Sequence, residues 1–108
     1  LFKGDNRVAV HARDGYEALN ALLPPKEKRG LVLIDPPFEA QEDEFAIIMA
    51  ALAKARLKWP TGIYAIWYPI KLRGPIQRFH RELRDSGFRK VLNVELLLHP
   101  DNSALRLN

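Results

Sequence analysis

The 108-residue chain contains no cysteine. That excludes disulfides and thiolate metal sites and is compatible with a reducing compartment. No apolar run approaches the roughly 18 residues that a membrane-crossing helix needs. Leu1-Phe2-Lys3-Gly4-Asp5 has neither the basic start nor the long apolar centre of a signal peptide. A cytoplasmic protein without membrane contact is therefore expected. The chain does not open on Met, so its natural start is expected upstream. The three histidines, His11, His80 and His99, have no ligand spacing, and no metal site is expected. Repeats, low-complexity tracts and linkers are also missing. What remains is 47% hydrophobic, enough to build a core in one small domain.

Charge is unevenly spread. Residues 71–90 hold Lys71, Arg73, Arg78, Arg81, Arg84, Arg89 and Lys90 against Glu82 and Asp85, so this segment is +5 while the whole chain is +4. A concentrated basic face suits phosphate contact, although an ordinary solvated helix face has the same composition. Arg78 and Arg81, at i and i+3 of one helix face, are the best phosphate candidates. The acids Glu39, Glu42, Asp43 and Glu44 crowd a helix start, where the dipole favours them.

Hydrophobic spacing predicts alternating strands and helices. Arg7 to His11 reads as a strand. Gly15 to Leu23 reads as a helix capped by Asp14 and stopped by Pro24-Pro25. Leu31 to Asp35 is a continuous apolar run ending in an acid, which predicts a strand buried on both faces of a parallel sheet. Glu42 to Lys58 is a helix with Phe45, Ile48, Met49 and Leu52 inward. Ile63 to Tyr68 is a second buried strand, and its Trp67 and Tyr68 suit core or pocket-wall packing. Leu72 to Ser86 is an amphipathic helix ended by Gly87, and Val91 to His99 is a last strand. The order predicts an α/β fold with a mostly parallel sheet and flanking helices. Ligands of such sheets bind beyond the carboxyl ends of the strands, where Asp14 and Asp35 both fall.

Asp35-Pro36-Pro37-Phe38 is the most informative segment. The two prolines fix φ and remove two N–H donors, leaving stiff carbonyls beside the Asp35 carboxylate. Acceptors with few donors suit a ligand that presents N–H groups, such as the exocyclic amine of a base. Phe38 supplies a flat face for stacking, worth about 1–3 kcal/mol per base. Accepting the amine's N–H bonds polarises its delocalised lone pair, and Asp35 is placed to take the departing proton. The base must leave its stack to reach such a pocket, or start single-stranded. A helix cap or loop hydrogen bond is the plainer role for such an acid.

An apolar strand followed by Asp-Pro-Pro-aromatic resembles the catalytic motif of amino-methyltransferases. The resemblance extends along the chain. Arg29 to Glu39, Thr61 to Ile70, Arg89 to Leu96 and the Asp14-Gly15 pair are each similar to stretches of the bacterial large-subunit ribosomal RNA adenine-N6 methyltransferases of type J, in the same order. Trp67-Tyr68-Pro69 favours this family over other Asp-Pro-Pro enzymes. The resemblance implies a class I, Rossmann-like methyltransferase sheet, of which residues 1–108 are the C-terminal part, and S-adenosylmethionine as cofactor. It implies that Asp35 is catalytic and lies against the cofactor's methionine end. Asp14 and Gly15 would contact its adenosine end, and Pro36, Pro37 and Phe38 would hold the target adenine of ribosomal RNA.

The chain departs from the family at several points. Tyr is frequent in the family where Phe38 stands, and Phe is also usual in guanine-N2 enzymes. Gly4-Asp5-Asn6 is no G-x-G-x-x-G loop, and the acidic residue that ends the second strand of a class I methyltransferase sheet has no counterpart here. The family's basic and aromatic N-terminal region is absent, and Ala104-Leu105-Arg106-Leu107-Asn108 stops short of its final strand. The strands before Asp14 and Asp35 are not neighbours in the family's sheet. A longer parent protein is expected, and the fragment is expected to be inactive alone. The competing readings are guanine-N2 methylation of ribosomal RNA and a non-catalytic RNA-binding α/β module.

Overall fold

A computed structural model describes residues 4–9 and 14–97. Its elements are α1 (Gly15–Leu22), β1 (Leu31–Ile34), α2 (Gln41–Lys58), β2 (Ile63–Ile66) and α3 (Arg73–Asp85). β1 and β2 pair in parallel, Leu31 opposite Ile63 and Ile34 opposite Ile66, with α2 as the crossover. Parallel strands require such a connection, because a hairpin turn cannot return the chain to the same end.

Local signals account for the helix bounds. The Asp14 carboxylate accepts from Glu17 N at 3.0 Å and caps α1. In α2, Glu42, Asp43 and Glu44 fill the first turn and Arg56 and Lys58 the last, each sign matching the helix dipole. Pro75 lies in the first turn of α3, where its missing N–H costs nothing. Gly87 takes φ +98° just beyond the α3 cap, as a left-handed helix end requires.

The core lies between one sheet face and the two longer helices. Ile34, Phe38, Phe45, Ile48, Leu52, Ile76, Phe79 and Leu83 form it. Phe45 stacks on Phe79 at 4.6 Å and takes the Phe38 ring edge-on at 5.2 Å. Below the strands, the Trp59 indole lies against Gly30 and Gly62, the residues that enter β1 and β2. A Cβ on either would run into its ring. Glycine is therefore needed at both strand starts for close approach.

Three expectations are corrected. The strands are not buried on both faces: Leu31 and Leu33 are 62% and 66% exposed, whereas Val32 and Ile34 face the helices. Side chains alternate along a strand, and the packed helices cover one side only. Residues 7–9 of the expected first strand form no strand. Asp5 instead accepts from Arg7 N at 2.9 Å and from the Arg7 side chain, and Val8 N reaches Asp5 O, which closes a local turn. Residues 10 and 11 of that strand lie outside the described residues. Residues 91–97 likewise form no strand, and residues 98 and 99 lie outside the description. Asn93 and Glu95 hold this segment to the body through side chains, while Leu92, Val94 and Leu96 face solvent. Without a neighbouring backbone to complete a ladder, alternation alone does not make a strand.

Candidate active site

The carboxyl ends of β1 and β2 open into two loops, residues 35–40 and 67–72. Trp67 N donates to Ile34 O at 3.0 Å and continues the ladder one step past the sheet. Farther along, the Lys71 ammonium donates to Phe38 O at 3.2 Å, and Leu72 N to Gln41 Oε1 at 3.4 Å. The loop after β1 is thus tied at both ends to the loop after β2.

Asp35 is exposed at the mouth of this loop, and among the described residues no donor is hydrogen-bonded to its carboxylate. The desolvation penalty of a buried charge does not arise here. Instead, an acceptor-only group stands open at the strand end beside two residues that carry carbonyls but no N–H.

Phe38 is a correction. Its ring is fully buried and packs on Phe45, so it presents no face to a stacked base. Its backbone sits at φ +55°, a left-handed conformation that a side chain with a Cβ rarely adopts. This conformation turns the chain from the strand end into α2 while the ring goes inward. Asp35, Pro36 and Pro37 are left at the surface side of the turn, with Pro36 half-buried and Pro37 exposed.

Asp14 and Gly15 come to the same end of the molecule. Tyr16, one residue into α1 from Gly15, donates its hydroxyl to Glu44 Oε1 at 2.9 Å, and Glu44 lies in the first turn of α2, directly after the Asp35 loop. Burial, then the bond to Glu44 and its charge, push the Tyr16 hydroxyl well above the ordinary phenol range. One oxygen of Asp14 is committed to the α1 cap.

The basic segment divides into paired and exposed side chains. Lys71 holds Phe38 O, Arg73 is paired with Glu95 at 2.9 Å, and Arg78 lies 3.6 Å from Glu42. Arg78 and Arg81 share α3 and are both exposed. The exposed Arg78–Glu42 pair is worth about 0–1 kcal/mol and is readily given up to a phosphate. Trp67 is 59% exposed and takes no part in the core. Tyr68 is half-buried, its hydroxyl 2.8 Å from His80 Nε2 and 3.0 Å from Asn93 Oδ1. Burial, reinforced by the Glu95 charge, raises the pKa of its hydroxyl above the ordinary phenol value. The Arg73 guanidinium and the Asn93 amide hold the Glu95 carboxyl below its usual range.

Neither the part played by Lys71 nor the bond between Tyr16 and Glu44 was legible in the sequence. Lys71 counted there only as one charge of the basic segment. Its position just past Trp67-Tyr68-Pro69, at the neighbouring strand end, was the one available signal. Among the described residues, no group of three or more His, Asp or Glu side chains is arranged to hold a metal. No described helix is long and apolar enough to cross a membrane.

This is an α/β chain with an open, acidic, acceptor-rich loop at the carboxyl end of a parallel strand. The sequence model of the family described as "Ribosomal RNA large subunit methyltransferase D, RlmJ" matches residues 1–108. The chain belongs to this family. It is 43% identical over 101 residues to ribosomal RNA large subunit methyltransferase J of Haemophilus influenzae and 44% identical to its namesake in Escherichia coli K12. Each alignment covers 94% of this chain and 36% of the relative, so the chain spans about a third of the length of these relatives. A crystal structure of a Legionella pneumophila protein (strain Philadelphia 1) is 43% identical and superposes with a TM-score of 0.63, over 69% of this chain and 28% of that one.

Proposed function

We propose that the complete protein carrying this sequence transfers a methyl group from S-adenosylmethionine to the N6 amine of an adenine in large-subunit ribosomal RNA, in the cytoplasm. Residues 1–108 are part of the catalytic domain, a class I, Rossmann-like sheet. The observation that carries this reading is the exposed Asp35 carboxylate, without a donor among the described residues, with Pro36 and Pro37 at the end of a parallel strand, in a chain with these relatives.

The residues suit a cationic methyl donor, since the loop offers a negative charge and carbonyl acceptors without competing N–H groups. Asp35 would lie against its methionine end, and Asp14 and Gly15 at the same end of the fold against its adenosine. When bound, S-adenosylmethionine supplies an electrophilic methyl carbon on a sulfonium sulfur. Asp35 accepts one N–H of the target amine, and a carbonyl of Pro36 or Pro37 accepts the other. These bonds draw the amine's lone pair out of the ring and aim it, so that positioning supplies much of the rate. Asp35 takes the departing proton, directly or through water. The fully buried Phe38 serves as the loop's anchor, and Arg78 and Arg81 on α3 meet RNA phosphates.

The test is methylation of unmodified large-subunit ribosomal RNA with labelled cofactor, followed by digestion to nucleosides. Labelled N6-methyladenosine is expected from the natural protein and none from Asp35→Ala, with the fold intact. N2-methylguanosine would select the guanine reading, which Phe38 also suits. RNA binding without label would select a non-catalytic module.

A further inference from the structure

We infer that Lys71 is a positioning residue for the Asp35 loop, acting through the Phe38 carbonyl; the inference rests on the methyl-transfer reading above. Few torsions between Asp35 and Phe38 are soft, because both prolines have φ locked by their rings. The loop's acceptors are therefore set by where its two ends are fastened. One end is fastened by the ladder bond from Trp67 N to Ile34 O. The other is fastened at Phe38, whose ring is sunk in the core and whose φ is +55°.

Rotation about φ of Phe38 turns the Pro37–Phe38 peptide plane against that fixed ring, and this plane carries the Pro37 carbonyl. Rotation about its ψ turns the next peptide plane, which carries the Phe38 carbonyl. The Lys71 ammonium, 3.2 Å from that carbonyl, resists this second rotation. Left-handed residues with a Cβ persist only where their surroundings hold them. Here the surroundings are a buried ring on one side of the residue and a cation on the other. The bond from Leu72 N to Gln41 Oε1 holds the next turn of the chain to the same strand end. Lys71 comes from a loop 33 residues away in sequence, so it couples the geometry of one strand end to that of its neighbour.

Lys71 is itself exposed, so replacing it disturbs no core packing. Lys71→Met keeps the aliphatic stem and removes the ammonium; Lys71→Arg keeps a donor. In the complete protein, Lys71→Met is expected to lower kcat about 10- to 100-fold, the scale of loss for a reacting group misplaced by about 1 Å. KM for cofactor and for RNA should stay within about two-fold, the salt dependence of RNA binding should not change, and Lys71→Arg should recover most of kcat. Amide hydrogen exchange should speed up at residues 38–41 in Lys71→Met and remain unchanged in the middle of α2. A merely structural role would lower the unfolding midpoint and leave kcat of the folded fraction untouched, which would overturn the inference. A loss confined to KM for RNA with a flatter salt dependence would overturn it too, by making Lys71 a phosphate contact. Exchange at residues 38–41 that does not respond to Lys71→Met would overturn it whatever the activity. Absence of label with the natural protein, alongside faster exchange in Lys71→Met, would instead defeat the methyl-transfer reading and leave the loop anchor standing.

Discussion

Replacing Phe38 separates two roles that look alike in the sequence. The ring is fully buried, at 5.2 Å from Phe45 and inclined 62° to it. Truncation to alanine removes this burial and leaves a cavity beside Phe45 in the core, a change that costs about 3–5 kcal/mol. Alanine also keeps the left-handed strain that φ +55° imposes on any residue with a Cβ. Against a typical total stability of about 5–15 kcal/mol, Phe38→Ala should shift the urea midpoint strongly. Phe38→Leu is the sharper variant. It keeps an apolar side chain of similar bulk but no flat ring, so stability should fall much less than in Phe38→Ala. If the ring only anchors the loop, the Phe38→Leu protein binds RNA with unchanged affinity. If it stacked on the target base, losing it would cost about 1–3 kcal/mol of binding. That corresponds to a Kd raised about 5- to 150-fold. A Phe38→Leu protein with a native urea midpoint and a Kd raised in that range would refute the core assignment.

Gly62→Ala would place a Cβ within the Trp59 ring, and Gly30→Ala would place one 2.8 Å from it. Forcing either into this packing should cost about 1–3 kcal/mol by urea unfolding, and a native midpoint for Gly62→Ala would contradict the Trp59 placement. Tyr16 provides a pH test. Its folded-state ionisation lies above the ordinary value of 10.0, so above pH 10 the unfolded chain loses a proton that the folded chain keeps. The stability that Tyr16 contributes is complete below pH 10 and declines as pH rises further. Tyr16→Phe should therefore flatten the alkaline limb of the stability curve by up to one proton; identical limbs would show that neither burial nor the bond to Glu44 perturbs this hydroxyl.

The sequence by itself determined the features encoded within a few residues. Asp14 caps α1 because its carboxylate is three residues from the amide it accepts from. Gly87 ends α3 because it alone in that stretch tolerates a left-handed backbone freely. The Leu31–Ile34 run followed by Asp-Pro-Pro reads as a strand leading to a stiff, acceptor-rich turn, and Asp35 does follow the carboxyl end of that strand. The family, too, was legible in three ordered stretches of residues and the Asp14-Gly15 pair. Tertiary structure decided what depends on partners distant in the chain. Whether a strand is covered on one face or two depends on which helices pack there, and the exposure of Leu31 and Leu33 is absent from their hydrophobicity. Whether residues 91–97 form a strand depends on a neighbouring backbone. The direction of the Phe38 ring follows from a single positive φ and the aromatic cluster behind it. The task of Lys71 follows from a carbonyl 33 residues earlier in the chain, brought to it only by the parallel register of the two strands. Local spacing carries no record of such contacts, because the energy that selects them arises only when the elements pack.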